Sequence, residues 1–318
     1  MAISSGNVIS AKRSAPSFAG TAKLYWRYRY LTLLMLPSLA ALVIFKYIPI
    51  YGLTIAFKEF RIKAGILDSP WVGLDIFKQV FRMPGFSAAF RNTLILGAAN
   101  LLVSFPAQIA LALLLNELNN ARYKKLVQTF SYLPHFISWI TLSGLFLQLL
   151  SPSAGPLAAL AKGLGLKPYY FMGEPDTFRL VLVAANLWKG IGWGSIIFLA
   201  ALAGVDQEMY EAALIDGASR FQRVIFITLP AIAPTITIML IMRSGSVLND
   251  NFDQVYNMTN AAVSRITNVL GVLTYDLGLK NMKYSQSTAI GLFRNLVSFS
   301  LVLATNWFSR RVNDYGIW

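Results

Sequence analysis

Long apolar runs, each bounded by charge, dominate this chain. Six gaps between charged positions are long enough to cross a bilayer as a helix, which takes about 20 apolar residues. The first lies between Arg29 and Lys58 and is interrupted only by Lys46; the second, between Arg91 and Glu117, contains no charge. The third runs from Leu126 to about Leu150, where Ser151-Pro152 and a Gly/Pro-containing loop through Gly173 end it. The other three each hold one basic residue: Lys189 between Arg179 and Asp206, Arg243 between Arg223 and Asp250, and Arg294 between Lys283 and Arg310. The pattern predicts an all-α, polytopic membrane bundle of six transmembrane helices, at about 31–52, 92–116, 126–150, 180–204, 230–248 and 286–308. A basic tail over 1–30, a loop over 205–229 and a tail over 309–318 complete the scheme, and no internal repeat divides the chain.

Composition supports lipid as the solvent. Of 318 residues, 56% are hydrophobic and 13% charged, too little polar surface to cover a soluble core of that size. The first apolar run is too long for a cleaved signal peptide and no small-residue cleavage site closes it, so it reads as a retained helix. Lys12, Arg13, Lys23, Arg27 and Arg29 precede it with no acidic residue among them, which predicts a cytoplasmic amino terminus. Six spans then put both termini on the cytoplasmic side. With that tail counted the tally is even, 12 basic residues in inside segments and 12 in the longer outside loops, so the tail and the 205–229 loop decide orientation.

Several chemistries drop out. There are no cysteines and one histidine, His135, which excludes disulfides, thiolate metal sites, a cysteine nucleophile and a multi-histidine metal centre. No Gly-Lys-Ser/Thr phosphate loop occurs, so ATP would be hydrolysed by another chain. No acidic residue lies within a span, which argues against an ordinary proton relay and against a carboxylate-based intramembrane enzyme. The net charge of +14 has no soluble domain to carry it and suits a membrane surface or an anionic solute better than nucleic acid.

The stretch from Asp206 to Pro230 reads as two short helices joined by a turn. Asp206 suits an N-cap, with Glu208 in the first turn, where the helix dipole favours negative charge. Gly217 suits the left-handed residue that ends the first helix. Ser219 with Gln222 three residues on forms a capping box that starts the second, and Pro230 marks the start of the fifth span. A plain helical hairpin would account for the caps alone.

Glu211-Ala212-Ala213, Gly217, Ile227 and Leu229-Pro230 match, in spacing, the EAA motif of binding-protein-dependent ABC importer permeases. From about Leu33 onward the chain resembles the carbohydrate-importing branch, the lipoprotein/polysaccharide-type permeases. Tyr47-Ile-Pro-Ile-Tyr51, Ser69-Pro-Trp-Val-Gly73, Tyr132-Leu-Pro-His-Phe-Ile-Ser-Trp139, Asn186-Leu-Trp-Lys189-Gly-Ile-Gly-Trp193, Phe252-Asp-Gln-Val-Tyr256 and Gly316-Ile-Trp318 carry it. The resemblance implies a non-enzymatic permease subunit in the bacterial inner membrane. It further implies a second, non-identical permease, two cytoplasmic ATPase subunits that hold ATP and Mg, and an external solute-binding protein; this chain itself binds no cofactor and no metal. It assigns coupling to the ATPase to Glu211, Ala212, Ala213, Asp216, Gly217, Ile227, Leu229 and Pro230.

Ionisable residues inside spans normally face the bundle interior or reach an interface. Lys46 is placed to snorkel. Lys189, beside Gly190, Gly192 and Gly194, joins Arg243 and Arg294 as pathway candidates; a structural ion pair or carbonyl contact within the bundle is the alternative for each. Trp188, Trp193, Asn186, Asn249 and Asn251 are candidate sugar contacts, since aromatic faces pack on sugar rings and amides bond hydroxyls. Outside loops carry 12 basic against 8 acidic residues, which favours an acidic saccharide such as alginate or another uronate oligomer. A neutral oligosaccharide, and a scaffold that transports nothing, remain open.

Overall fold

The computed structural model of the protein describes residues 27–249, 251–313 and 315–317. The tail residues Lys12, Arg13 and Lys23, the boundary residue Asp250 and the terminal Trp318 lie outside them. Secondary structure among the described residues is helical, apart from two isolated bridges, Lys58 with Trp71 and Arg61 with Gly65. The chain divides into a unit ending at Thr54 and a unit beginning at Ile55. In the first, Arg29–Leu42 is α-helical and continues as a π turn over Val43–Tyr47; none of its residues is buried.

Five helices are long and apolar enough to span: Arg29–Phe57, Phe86–Asn116, Pro175–Leu202, Arg220–Ser244 and Tyr284–Val312. A sixth candidate is a bent pair, Ala121–Phe136 with Trp139–Leu149, whose axes meet at 102°. The expected straight third span is therefore broken. The break has local causes: Leu133–Phe136 tightens into a 3-10 turn containing Pro134, and Ile137 is extended. Ser138 then caps the next helix, its hydroxyl accepting from the Thr141 amide at 3.2 Å.

Span boundaries also move, most at the starts of the second and fifth spans. The second span starts at Phe86, after Gly85 at φ 93, because Arg91 rides on an exposed face of the helix instead of ending it. The fifth begins inside the loop, at Arg220, and passes through a π turn over Val224–Thr228 before continuing as Leu229–Ser244. The Leu229 amide reaches back to the Val224 carbonyl, a wider turn that falls just where Pro230 removes a donor from the regular ladder.

Within the second unit, the second and fourth spans pack along each other, and the fifth packs on the sixth. Gly192 permits close approach: a Cβ there would enter the backbone of Ser131, on the first half of the broken span. A Cβ at Gly194 would meet the Gln108 side chain of the second span. Beneath the 205–229 loop, Phe105, Ala112, Phe198, Leu202, Val205 and Ile232 form one apolar core. At the other end, helices between the spans build two more, one around Phe86, Leu270 and Ile290 and one around Phe178, Met258 and Val263.

Candidate functional site

The second span turns one polar stripe inward. Asn100, Ser104 and Gln108 recur every four residues and so share a helix face, with Gly97 one turn above. That face lines a cavity of about 330 Å3. The fourth span contributes Asn186, Lys189 and Trp193, and the two sides of the break contribute His135 and Trp139. Arg243, Ser246, Asn249 and Asn251 close the circuit from the end of the fifth span and the segment after it.

The cavity wall is joined across helices by side-chain amides. Asn251 donates to Asn186 at 2.7 Å, and Asn186 donates to Asn100 at 3.1 Å, a chain that links three separate elements. Gln108, 4% exposed, donates to the Gly190 carbonyl at 3.4 Å. His135 lies flat on the Trp193 ring, with centroids 4.5 Å apart and an interplanar angle of 0°. Such a wall offers stacked rings and amide hydrogen-bonding groups and, among the described residues, no acidic side chain.

The two cations of the cavity are held differently. The Lys189 ammonium donates to the carbonyls of Pro134 at 3.3 Å, His135 at 2.8 Å and Ile137, and lies 5.4 Å from the Trp139 ring centroid. The exposed Arg243 guanidinium makes no hydrogen bond or ion pair to the described residues. Of the eight sequence candidates, six line the cavity: Asn186, Lys189, Trp193, Arg243, Asn249 and Asn251. Trp188 points elsewhere, into an apolar groove with Leu145, Leu149 and Val181, its ring edge-on to Phe146. Arg294 is half-buried on the sixth span and does not line the cavity.

Sequence reasoning missed Asn100, Ser104, Gln108 and Trp139, and assigned His135 no part in the route. The four-residue recurrence of polar side chains within an otherwise apolar span was the available signal.

The loop builds itself from local bonds. Asp206 accepts from the Glu208 amide at 3.0 Å and starts the helix Gln207–Ile215. Gly217, at φ 77, turns the chain out of that helix, and Ser219 and Gln222 form both bonds of a capping box, at 3.3 and 2.8 Å. Tyr210 shares a hydrogen bond of 2.9 Å with Thr228, whose hydroxyl also bonds the Arg223 carbonyl, so the loop helix is tied to the π turn at the base of the fifth span. Glu211, Ala212, Asp216, Gly217 and Pro230 are exposed; Ala213, Ile227 and Leu229 are half-buried. Leu214, Ile215 and Phe221 expose large apolar surface, and the exposed Glu211 carboxylate makes no hydrogen bond or ion pair to the described residues.

Comparison with known proteins agrees with this arrangement. The protein LplB of Bacillus subtilis is 42% identical over 314 residues, covering 97% of this chain and 99% of that one. The polygalacturonan/rhamnogalacturonan transport system permease protein YteP of the same organism is 39% identical, covering 91% of this chain and 90% of its own. A crystal structure of a bacterial ABC transporter involved in the import of the acidic polysaccharide alginate contains a chain with a TM-score of 0.85 and 37% identity. That match covers 92% of this chain and 99% of the other. Residues 108–314, which include most of the cavity wall and the whole loop, match the family described as binding-protein-dependent transport system inner membrane component. The chain belongs to that family of multi-pass inner membrane components.

Proposed function

We propose that this chain passes an acidic oligosaccharide through the inner membrane as the permease subunit of an ATP-driven importer. The observation that carries the reading is the cavity, in which amides, two indole rings and the Arg243 guanidinium converge, with no acidic side chain among the described lining residues. Amides and stacked rings serve hydroxyls and sugar faces, and a planar guanidinium matches a carboxylate in two-point fashion. Among the relatives, the alginate importer's description and YteP's name point to polysaccharide fragments of related chemistry.

The loop supplies the coupling. Glu211, Ala212, Ala213, Asp216, Gly217, Ile227, Leu229 and Pro230 sit on or beside a short, locally capped helix whose exposed acidic and apolar groups offer a docking face to an ATPase. ATP and Mg are held there and not by this chain. A second, non-identical permease completes the path, and a solute-binding protein delivers the saccharide from the side opposite the loop. Both termini then face the cytoplasm. Closure of the ATPase pair draws the loops together, and the Tyr210–Thr228 bond carries that motion into the fifth span, whose far end bears Arg243.

A neutral saccharide is the second reading. It is favoured by the amide chain Asn251–Asn186–Asn100, whose groups suit sugar hydroxyls without needing a charge. The deciding experiment is ATPase stimulation of the complex in liposomes, with its binding protein, across neutral and uronate oligosaccharides. Stimulation by uronates, lost in Arg243→Gln, is the expected result. Stimulation by neutral sugars alone discards the acidic reading and keeps the importer.

A further inference from the structure

Lys189 and the break in the third span each pose a physical problem that the other solves. At Ile137-Ser138 the helical ladder stops: the Pro134 carbonyl accepts its last bond, from the Ile137 amide at 3.2 Å, and the His135 and Ile137 carbonyls follow at the break. Carbonyls at a helix end carry the negative pole of the helix and, at membrane depth, have little water to bond. A lone ammonium inside a span is costly for the same reason. The fourth span meets both demands at once, because its Lys189 Nζ donates to all three carbonyls. No acidic residue is needed, and the described residues offer it none.

The consequence reaches the solute route. His135 lies just before the break and Trp139 just after it, and both rings line the cavity. Their placement depends on the 102° bend: a continuous helix would carry the second half of the span, with Trp139, away in the direction of the first. His135 is also stacked on Trp193, four residues beyond Lys189 on the same helix face. The ammonium and the indole thus grip the two sides of one turn.

We infer that Lys189 is a positioning residue for transport: it holds the third span broken, so that His135 and Trp139 form part of the cavity wall, and it is not the counter-charge of the solute. The charge available to a solute carboxylate belongs to Arg243. This inference rests on the cavity being the solute route, but its central claim, the bend, is measurable without any solute.

The chain contains no cysteine, so spin labels can be attached to an otherwise unaltered sequence. Phe130→Cys and Leu147→Cys place one label on an exposed position of each half of the broken span. In a straight helix these positions would lie about 25 Å apart along the axis. The assembled transporter in lipid discs is expected to give a shorter, narrow distance, and Lys189→Met a longer or broadened one. Lys189→Arg, which keeps positive donors, is expected to restore the narrow distance.

In transport assays Lys189→Met is expected to lower the maximal rate by about tenfold or more, by the same factor for acidic and neutral saccharides, with their KM ratio unchanged. An unchanged distance in Lys189→Met, or a KM increase confined to acidic saccharides, overturns the inference. If Lys189→Met does not accumulate, Lys189→Gln, whose amide can serve fewer carbonyls, is expected to broaden the distance; an unbroadened one overturns the inference as well. A wild-type complex that transports no saccharide defeats the functional proposal instead, and leaves the distance measurement standing as a test of Lys189.

Discussion

The loop and the cavity satisfy their polar groups in opposite ways. In the loop, Asp206, Ser219 and Gln222 bond amides two or three residues away, so the element is complete in itself and its outward side chains stay uncommitted. In the cavity, Asn251, Asn186, Asn100, Gln108 and Lys189 bond partners 52 to 86 residues away. A locally bonded element can move as a rigid body. A wall bonded across helices must exchange its bonds when the helices move, and the hydroxyls of a saccharide are suitable replacements. The difference fits a machine in which one part transmits displacement and another changes shape.

That contrast can be broken first at the helix contacts. Gly192→Val would drive side-chain carbons into the Ser131 backbone, a clash expected to cost about 3 kcal/mol or more and to remove assembled protein from the membrane. Gly190→Ala meets nothing within 4 Å and is expected to leave the amount of complex unchanged. Equal levels of both variants would show that these cross-helix contacts are dispensable.

Next comes the loop. Gly217→Val places a branched side chain at φ 77, at an expected cost of about 1–2 kcal/mol. If the loop transmits displacement, ATP turnover in the assembled complex should persist while uptake falls. Glu211→Ala should do the same without the backbone strain, and uptake retained in both would remove the loop from coupling. Ser219→Ala deletes one capping bond and should lower stability by about 1 kcal/mol, read as a small drop in thermal midpoint with coupling intact.

The smallest effect concerns the segment outside the spans. Lys280 pairs with Asp276 at 2.7 Å, and that hydrogen bond holds its ammonium above the ordinary value of 10.5. A raised lysine contributes its stabilisation below the ordinary value and loses it as pH rises through the raised one. The effect of Lys280→Ala on stability should therefore be flat from about pH 6 to 9. A pH-dependent effect in that range would assign it to another group.

The same division between local and distant bonding decides what the sequence discloses. Asp206, Gly217 and the Ser219–Gln222 box were readable because cap and capped amide are sequence neighbours. The spans were readable as apolar runs. Their ends were less so, because a boundary placed at a charge fails when a residue such as Arg91 lies on an exposed helix face. Pro134 hinted at the break, but Lys189, which caps it, lies more than fifty residues on. Lys189 and Arg243 looked alike as single cations in apolar runs, and only the fold separates the ammonium bonded to three carbonyls from the guanidinium that bonds none of the described residues. Trp188 and Trp193, five residues apart on one helix, face different ways for the same geometric reason.

The π turn at Val224–Thr228 holds one residue more per turn than an α-helix requires. Deleting a single residue there would let the turn close as regular α-helix without opening the chain. Because the wide turn already absorbs that residue, the fifth span beyond it and the loop before it would both keep their faces about the helix axis. Glu211 and the apolar side chains of the loop would then present the same face to the ATPase. Sequence change by deletion, usually tolerated in loops and ruinous in spans, has at this turn a site where one residue could be lost with the coupling face and the membrane path both left in place.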